Sequence, residues 1–142
     1  MNFQEAVQSG FRNYVNFSGR AVRSEFWFWI LFTIVGGLGA EILDFVLIPS
    51  WVPYSPFSGV FEVATFLPGI AVGVRRLHDI DRTGWWFLLV LVPLLGVVVL
   101  LYWWCIKGSR GYNRFGADPR PVEVSRHGAG RSLHRAQTDK AD

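Results

Sequence analysis

The chain has 142 residues, 51% of them hydrophobic, 16% aromatic and only 18% charged, and its 14 Lys+Arg against 11 Asp+Glu leave a formal charge of +3. That length sets one domain as the limit, and the apolar residues gather in three stretches, Phe26 to Ile48, Phe57 to Val74 and Trp85 to Ile106. Each is close to the roughly 20 residues that cross a hydrocarbon core, which excludes an ordinary water-soluble enzyme.

The basic residues lie in separate segments outside the apolar runs rather than along one stripe, so no nucleic acid is expected as a partner. Arginines in such places suit anionic lipid headgroups. The single cysteine, Cys105, excludes an internal disulfide and a cysteine-based metal cluster, and is expected to be a buried, inert thiol.

Met1 to Gln8 carries Glu5 as its only charged side chain and has no basic leader pattern, so this segment is expected to be retained. Phe3, Ala6, Val7, Phe11, Tyr14 and Val15 recur at spacings of three and four, which predicts an amphipathic helix. Two readings fit it: a helix lying along the bilayer interface, or a stripe packed on the membrane helices.

The first apolar run is entered through Arg20, Arg23 and Glu25, with Ser18 as a candidate cap. The arginines belong at headgroup level, and Phe26, Trp27 and Trp29 in the interfacial aromatic belt. Glu25 is placed to neutralise an arginine of this segment or of the next polar loop. Near the far end of the run Glu41 and Asp44 share a helical face. Close to an interface they read as solvated acids in preference to an ion site.

Pro49 to Pro56 follows without a single charge, which predicts an outward-facing loop and a cytoplasmic N-terminus. The second run holds Glu62 near its outer end, and Pro68-Gly69 inside it predicts a kink. It leads into Arg75-Arg76-Leu77-His78-Asp79-Ile80-Asp81-Arg82. If the helix continues, Arg75 meets Asp79 and His78 meets Arg82 at i,i+4, and His78 meets Asp81 at i,i+3. A lipid-headgroup or phosphate site and a hairpin stitched by ion pairs are both consistent with that cluster, the second being preferred.

In the third run, Trp85-Trp86 and Tyr102-Trp103-Trp104 at the two ends favour a full crossing, while Pro93 and Gly96 also permit a kink or the apex of a re-entrant hairpin. The side on which the C-terminal segment lies turns on that choice. Beyond Lys107 the chain is Gly-rich, and from about residue 121 it is polar and expected to be disordered.

No HExxH zinc motif, Gly-x-Ser-x-Gly elbow or Gly-rich phosphate loop occurs. Neither a catalytic constellation nor a cofactor or metal site is therefore expected.

Three motifs in this order carry a resemblance: Phe17-Ser18-Gly19-Arg20-Ala21-Val22-Arg23-Ser24-Glu25-Phe26-Trp27, Arg75 to Trp86, and Gly111-Tyr112-Asn113-Arg114-Phe115-Gly116-Ala117-Asp118-Pro119. Together they resemble the bacterial inner-membrane family catalogued as domain of unknown function 805, over about Asn13 to Pro119. Ala117 stands where a proline is expected. The resemblance implies a small multi-spanning protein of the cytoplasmic membrane, and it implies no activity.

The expected architecture is an all-α membrane protein, with an N-terminal interfacial amphipathic helix plus about three transmembrane helices in one integral domain over 1–120. The expected function is a structural or regulatory component that binds anionic lipid, a membrane-protein partner or a second copy. Its candidate charged cluster comprises Arg20, Arg23, Glu25, Arg75, Arg76, His78, Asp79, Asp81, Arg82, Asn113 and Arg114. The alternatives are a small transporter or channel subunit using Glu41, Asp44 or Glu62, and a lipid-headgroup enzyme centred on His78, Asp79 and Asp81.

Overall fold

The computed structural model describes residues 1–120, and the tail expected to be disordered lies outside them. Within that range the elements are helices α1 (Phe3–Arg12), α2 (Arg23–Leu47), α3 (Pro56–Asp79) and α4 (Leu95–Cys105), with a 3-10 helix, Gly84–Leu91, before α4. Among the described residues there is no β-strand beyond an isolated bridge between Asn113 and Gly116.

α1 begins with a capping box, in which the Asn2 side chain accepts from the Glu5 N–H at 2.8 Å and the Glu5 carboxylate accepts from the Asn2 N–H at 2.9 Å. Its apolar stripe lies on α2. Phe3 meets Phe28 edge-on at 6.0 Å and Phe11 meets Trp29 at 5.2 Å. Gly10 sits directly under the Trp29 ring, where a Cβ would collide with it. The indole is buried by helix-to-helix contact that only a glycine allows.

α2, of 25 residues, and α3, of 24, are each long and apolar enough to cross a bilayer. They pack along one another around Phe26, Trp29 and Val72, joined by Ile30, Phe32 and Trp104. No side chain caps the start of α2, so Ser18 does not serve as its cap. α3 runs through Pro68 as one continuous helix.

At the end of α2 next to the Pro49–Pro56 loop, Asp44 departs from the solvated acid expected of it. It is 6% exposed, and its carboxylate accepts from the N–H of Phe57 at 3.0 Å, the N–H of Ser58 at 2.8 Å and the Ser58 hydroxyl at 2.8 Å. Asp44 thus caps α3 from the neighbouring helix, because the opening N–H groups of α3 have no helical acceptor and attract a negative charge. Glu41, one turn away, is exposed.

The expectation of a third full-length helix over Trp85 to Ile106 is not met. The segment turns back on itself at Val92-Pro93-Leu94, so that Trp86 and Trp103 lie edge-to-face at 5.4 Å. The physical reasons are local. Pro93 has no N–H to continue a helix, Leu94 adopts a left-handed conformation with φ 62, and Gly96 lies against the Leu89 carbonyl where a side chain could not fit. The hairpin returns the chain after Ile106 to the end of α3 it had left at Asp79.

Candidate functional site

Aspartate 79 ends α3 and is 2% exposed, so its charge must be met inside the protein. Its Oδ1 accepts from Arg20 Nε at 3.1 Å and Nη2 at 2.9 Å, and its Oδ2 from Arg76 Nη1 at 2.6 Å. Gly108 lies against this carboxylate so closely that a Cβ would displace it.

Both arginines use their remaining donors on backbone carbonyls of the returning chain. Arg20 donates to Gly111 O at 2.6 Å, to Gly116 O at 3.3 Å and to Ser109 O. Arg76 donates to Trp104 O at 3.2 Å and to Ile106 O. Arg23 takes the intervening Cys105 carbonyl at 3.1 Å. The end of α4, whose last carbonyls lack helical partners and carry its negative dipole end, is therefore closed by arginines. Ser109 completes the clasp, donating its N–H at 2.8 Å and its hydroxyl at 3.0 Å to the Asp79 carbonyl.

A second buried pair lies beside the first. Arg75 Nη1 is 2.9 Å from Glu25 Oε1, which also accepts from the Ser9 hydroxyl at 2.9 Å. Arg75 Nε and Nη2 have no partner among the described residues. Three buried arginines, Arg20, Arg75 and Arg76, thus face two buried carboxylates, Glu25 and Asp79.

The expected helical pairings are corrected by where α3 stops. It ends at Asp79, and Asp81 turns into the left-handed region with φ 59. His78 therefore pairs with neither Asp81 nor Arg82. Arg75 and Asp79 both lie within α3, but Arg75 faces Glu25 while Asp79 is taken by Arg20 and Arg76. Arg82 lies over the Trp103 ring at 4.7 Å. Asp81 pairs with Arg114 at 3.1 Å, with both side chains largely exposed. Asn113 reaches the site through its amide, donating to the His78 carbonyl and to Ser109 Oγ, each at 2.9 Å. His78 Nδ1 lies 3.0 Å from the Gly19 carbonyl, and its ring stacks on Phe115 at 3.9 Å.

Sequence reasoning missed Ser9, Gly19, Gly108, Ser109, Phe115, Asp118 and Arg120. Gly19, Gly108 and in part Ser109 act through backbone atoms or the absence of a side chain, which residue type does not announce. Arg120 binds Asp118 at 2.7 Å and the Ser109 carbonyl at 2.6 Å. The hydrogen bonds from Arg120 hold the Asp118 carboxyl well below the usual carboxylate range, and in return raise the Arg120 guanidinium above its ordinary value.

Arg23 and Arg120 line an open cleft of about 540 Å³ that includes the first turn of α2, Trp27, Asp79 and Cys105, whose thiol is exposed there and not buried as expected. Among the described residues no group of three or more His, Cys, Asp or Glu side chains is placed to hold a metal.

Comparison with known proteins agrees with the motifs. The profile of the family described as "Protein of unknown function (DUF805)" matches residues 14–117. The Escherichia coli K12 "Inner membrane protein YhaI" is 42% identical over 109 residues, covering 77% of this chain and 90% of that protein. "Inner membrane protein YhaH" of the same strain is 40% identical over 112 residues, covering 77% and 91%. "Uncharacterized protein YiiR" is 26% identical over 139 residues, covering 76% and 88%. No solved structure matches. With two helices fit to cross a bilayer and inner-membrane relatives of this similarity, the chain is an inner-membrane protein and belongs to the DUF805 family.

Proposed function

We propose that the protein is a non-catalytic inner-membrane component that binds the phosphate of an anionic lipid in the cleft between the first turn of α2 and Arg120. α2 and α3 cross the bilayer, the hairpin enters and leaves from one face, and α1 lies along that face. This arrangement collects Arg12, Arg20, Arg23, Arg75, Arg76, Arg82, Lys107, Arg110, Arg114 and Arg120 on one side and leaves the uncharged Pro49–Pro56 loop on the other. The positive-inside rule makes the first side cytoplasmic.

The cleft carries the reading. Most of the arginine motif is consumed internally: Arg20, Arg75 and Arg76 are buried in ion pairs. Among the described residues Arg23 uses only one of its donors, and it stands with Arg120, whose Nη1 is left unused beside the Asp118 pair, near N–H groups at the uncapped start of α2. Guanidinium groups and a helix N-terminus both favour a phosphate, while exposed Trp27 suits the interface beside it. A transport path through Asp44 is disfavoured, since both of its carboxylate oxygens are taken by the start of α3.

Native mass spectrometry of the detergent-released protein tests the reading. Phosphatidylglycerol should be retained about tenfold more strongly than phosphatidylcholine, the scale of one charge-assisted contact, and Arg23→Gln with Arg120→Gln should abolish the preference. Equal retention of the two lipids, or an unchanged preference in the double variant, would overturn it. Reporters fused after residue 142 should be active only on the cytoplasmic side.

A further inference from the structure

On the other side of α3 from the cleft, a groove of about 430 Å³ runs between α3 and the 3-10 helix. Its walls are apolar, formed by Phe17, Ile70, Val74, Trp85, Phe87 and Leu88, and among the described residues its only ionisable side chain is His78. Ligand sites commonly have this make-up, an apolar enclosure with very few polar groups that fix orientation.

The state of that imidazole follows from its neighbours. His78 is 8% exposed. Nδ1 lies 3.0 Å from the Gly19 carbonyl oxygen, which can only accept, so Nδ1 carries the proton. Stacking on Phe115, with ring planes 2° from parallel, holds the ring against rotation. In the neutral ring Nε2 is then a lone-pair acceptor. It has no hydrogen-bond partner among the described residues, and its nearby carboxylates are engaged elsewhere, Asp79 with Arg20 and Arg76 and Asp81 with Arg114.

Gly84 keeps this atom reachable. A Cβ there would collide with Val74 and stand 3.5 Å from Nε2, closing the groove over the nitrogen. Among the described residues no arginine or lysine lines the groove, so an anionic head would meet there an apolar wall and a lone pair with nothing to neutralise it.

We propose that this groove binds a neutral long-chain amphiphile whose hydroxyl donates to His78 Nε2 and whose hydrocarbon lies along Ile70, Val74, Phe87 and Leu88. The chemistry is the converse of the phosphate cleft, with a single acceptor in place of several donors. The proposal uses none of the residues that line the cleft, so either can fail without the other.

The test uses the full chain in phosphatidylcholine nanodiscs, labelled with 15N-histidine, with His127→Gln and His134→Gln leaving His78 as the only histidine. The probes are 1-dodecanol, dodecyl methyl ether, which has the same chain but no donor, and dodecyl phosphate. Dodecanol should shift the Nε2 resonance saturably, and the ether should leave it unmoved and bind about tenfold more weakly, the worth of roughly one hydrogen bond. Gly84→Ala should remove the dodecanol shift, as should Ile70→Trp, which fills the groove away from the arginine clasp. Equal effects of alcohol and ether, preference for the phosphate, or a dodecanol shift that survives both substitutions would overturn the proposal.

Discussion

The two ends of the helix pair solve one problem, a buried carboxylate, in opposite ways. At the end that the proposed topology places outside, Asp44 is neutralised by the start of α3, through two backbone N–H groups and the Ser58 hydroxyl. At the end it places inside, Asp79 is neutralised by side chains, two arginines drawn from different parts of the chain. The first solution is local and tolerant, because a neutral acceptor can replace the acid at modest cost. The second is interdependent, since removing one charge strands two others where water cannot reach them.

Breaking the inner arrangement should have the largest effect. Asp79→Asn leaves Arg20 and Arg76 buried without a counter-charge, and should cost about 3–5 kcal/mol in denaturant unfolding of the detergent-solubilised protein. A loss below about 1 kcal/mol would mean that carbonyls alone hold those arginines. Asp44→Asn keeps an acceptor oxygen for the α3 N–H groups and should cost about 1 kcal/mol in the same assay, in the range of helix caps. If it cost as much as Asp79→Asn, the contrast between the ends would collapse.

The smallest effect sharpens the contrast within the inner end. Folding lowers the Asp118 pKa through Arg120, so this pair contributes fully above the ordinary carboxylate pKa of about 3.9 and loses its contribution as pH falls through the depressed folded value. The stability difference between wild type and Asp118→Asn should therefore be flat from pH 7 to about pH 5 and shrink only in stronger acid. A difference that grew on acidification would reverse the sign and refute the assignment.

The apolar runs made the helical membrane class legible in the sequence, and the charge-free Pro49–Pro56 loop with the paired arginine motifs marked the ends. α2 and α3 follow from run length alone. Trp85 to Ile106 did not, because aromatic belts at both ends look the same whether a segment crosses or returns, and the choice rests on backbone conformation at Leu94 and the close approach at Gly96. The members of the site were legible as a charged cluster, but their pairing was not. Extending α3 past Asp79 misplaces the partners expected of His78, Asp79 is claimed by Arg20 and Arg76 before Arg75 can use it, and the other acceptors of Arg20 and Arg76 are carbonyls of Trp104, Ile106, Ser109, Gly111 and Gly116. Any residue type supplies a carbonyl. Asp44 was misread for a related reason: its depth was judged along its own helix, while its burial comes from the start of the next one.

Arg20 also imposes an order on synthesis. Its partners lie 59, 89 and 91 positions further along the chain, at Asp79, Ser109 and Gly111. While α2 and α3 are being inserted, this guanidinium has neither its counter-charge nor its carbonyls, and it must wait in water or among headgroups. It withdraws into the protein only after the hairpin has been made and residues 109–116 have left the ribosome. Clasp closure thus follows synthesis of both long helices and the hairpin, and a nascent chain arrested before Ser109 would display unsheathed arginines.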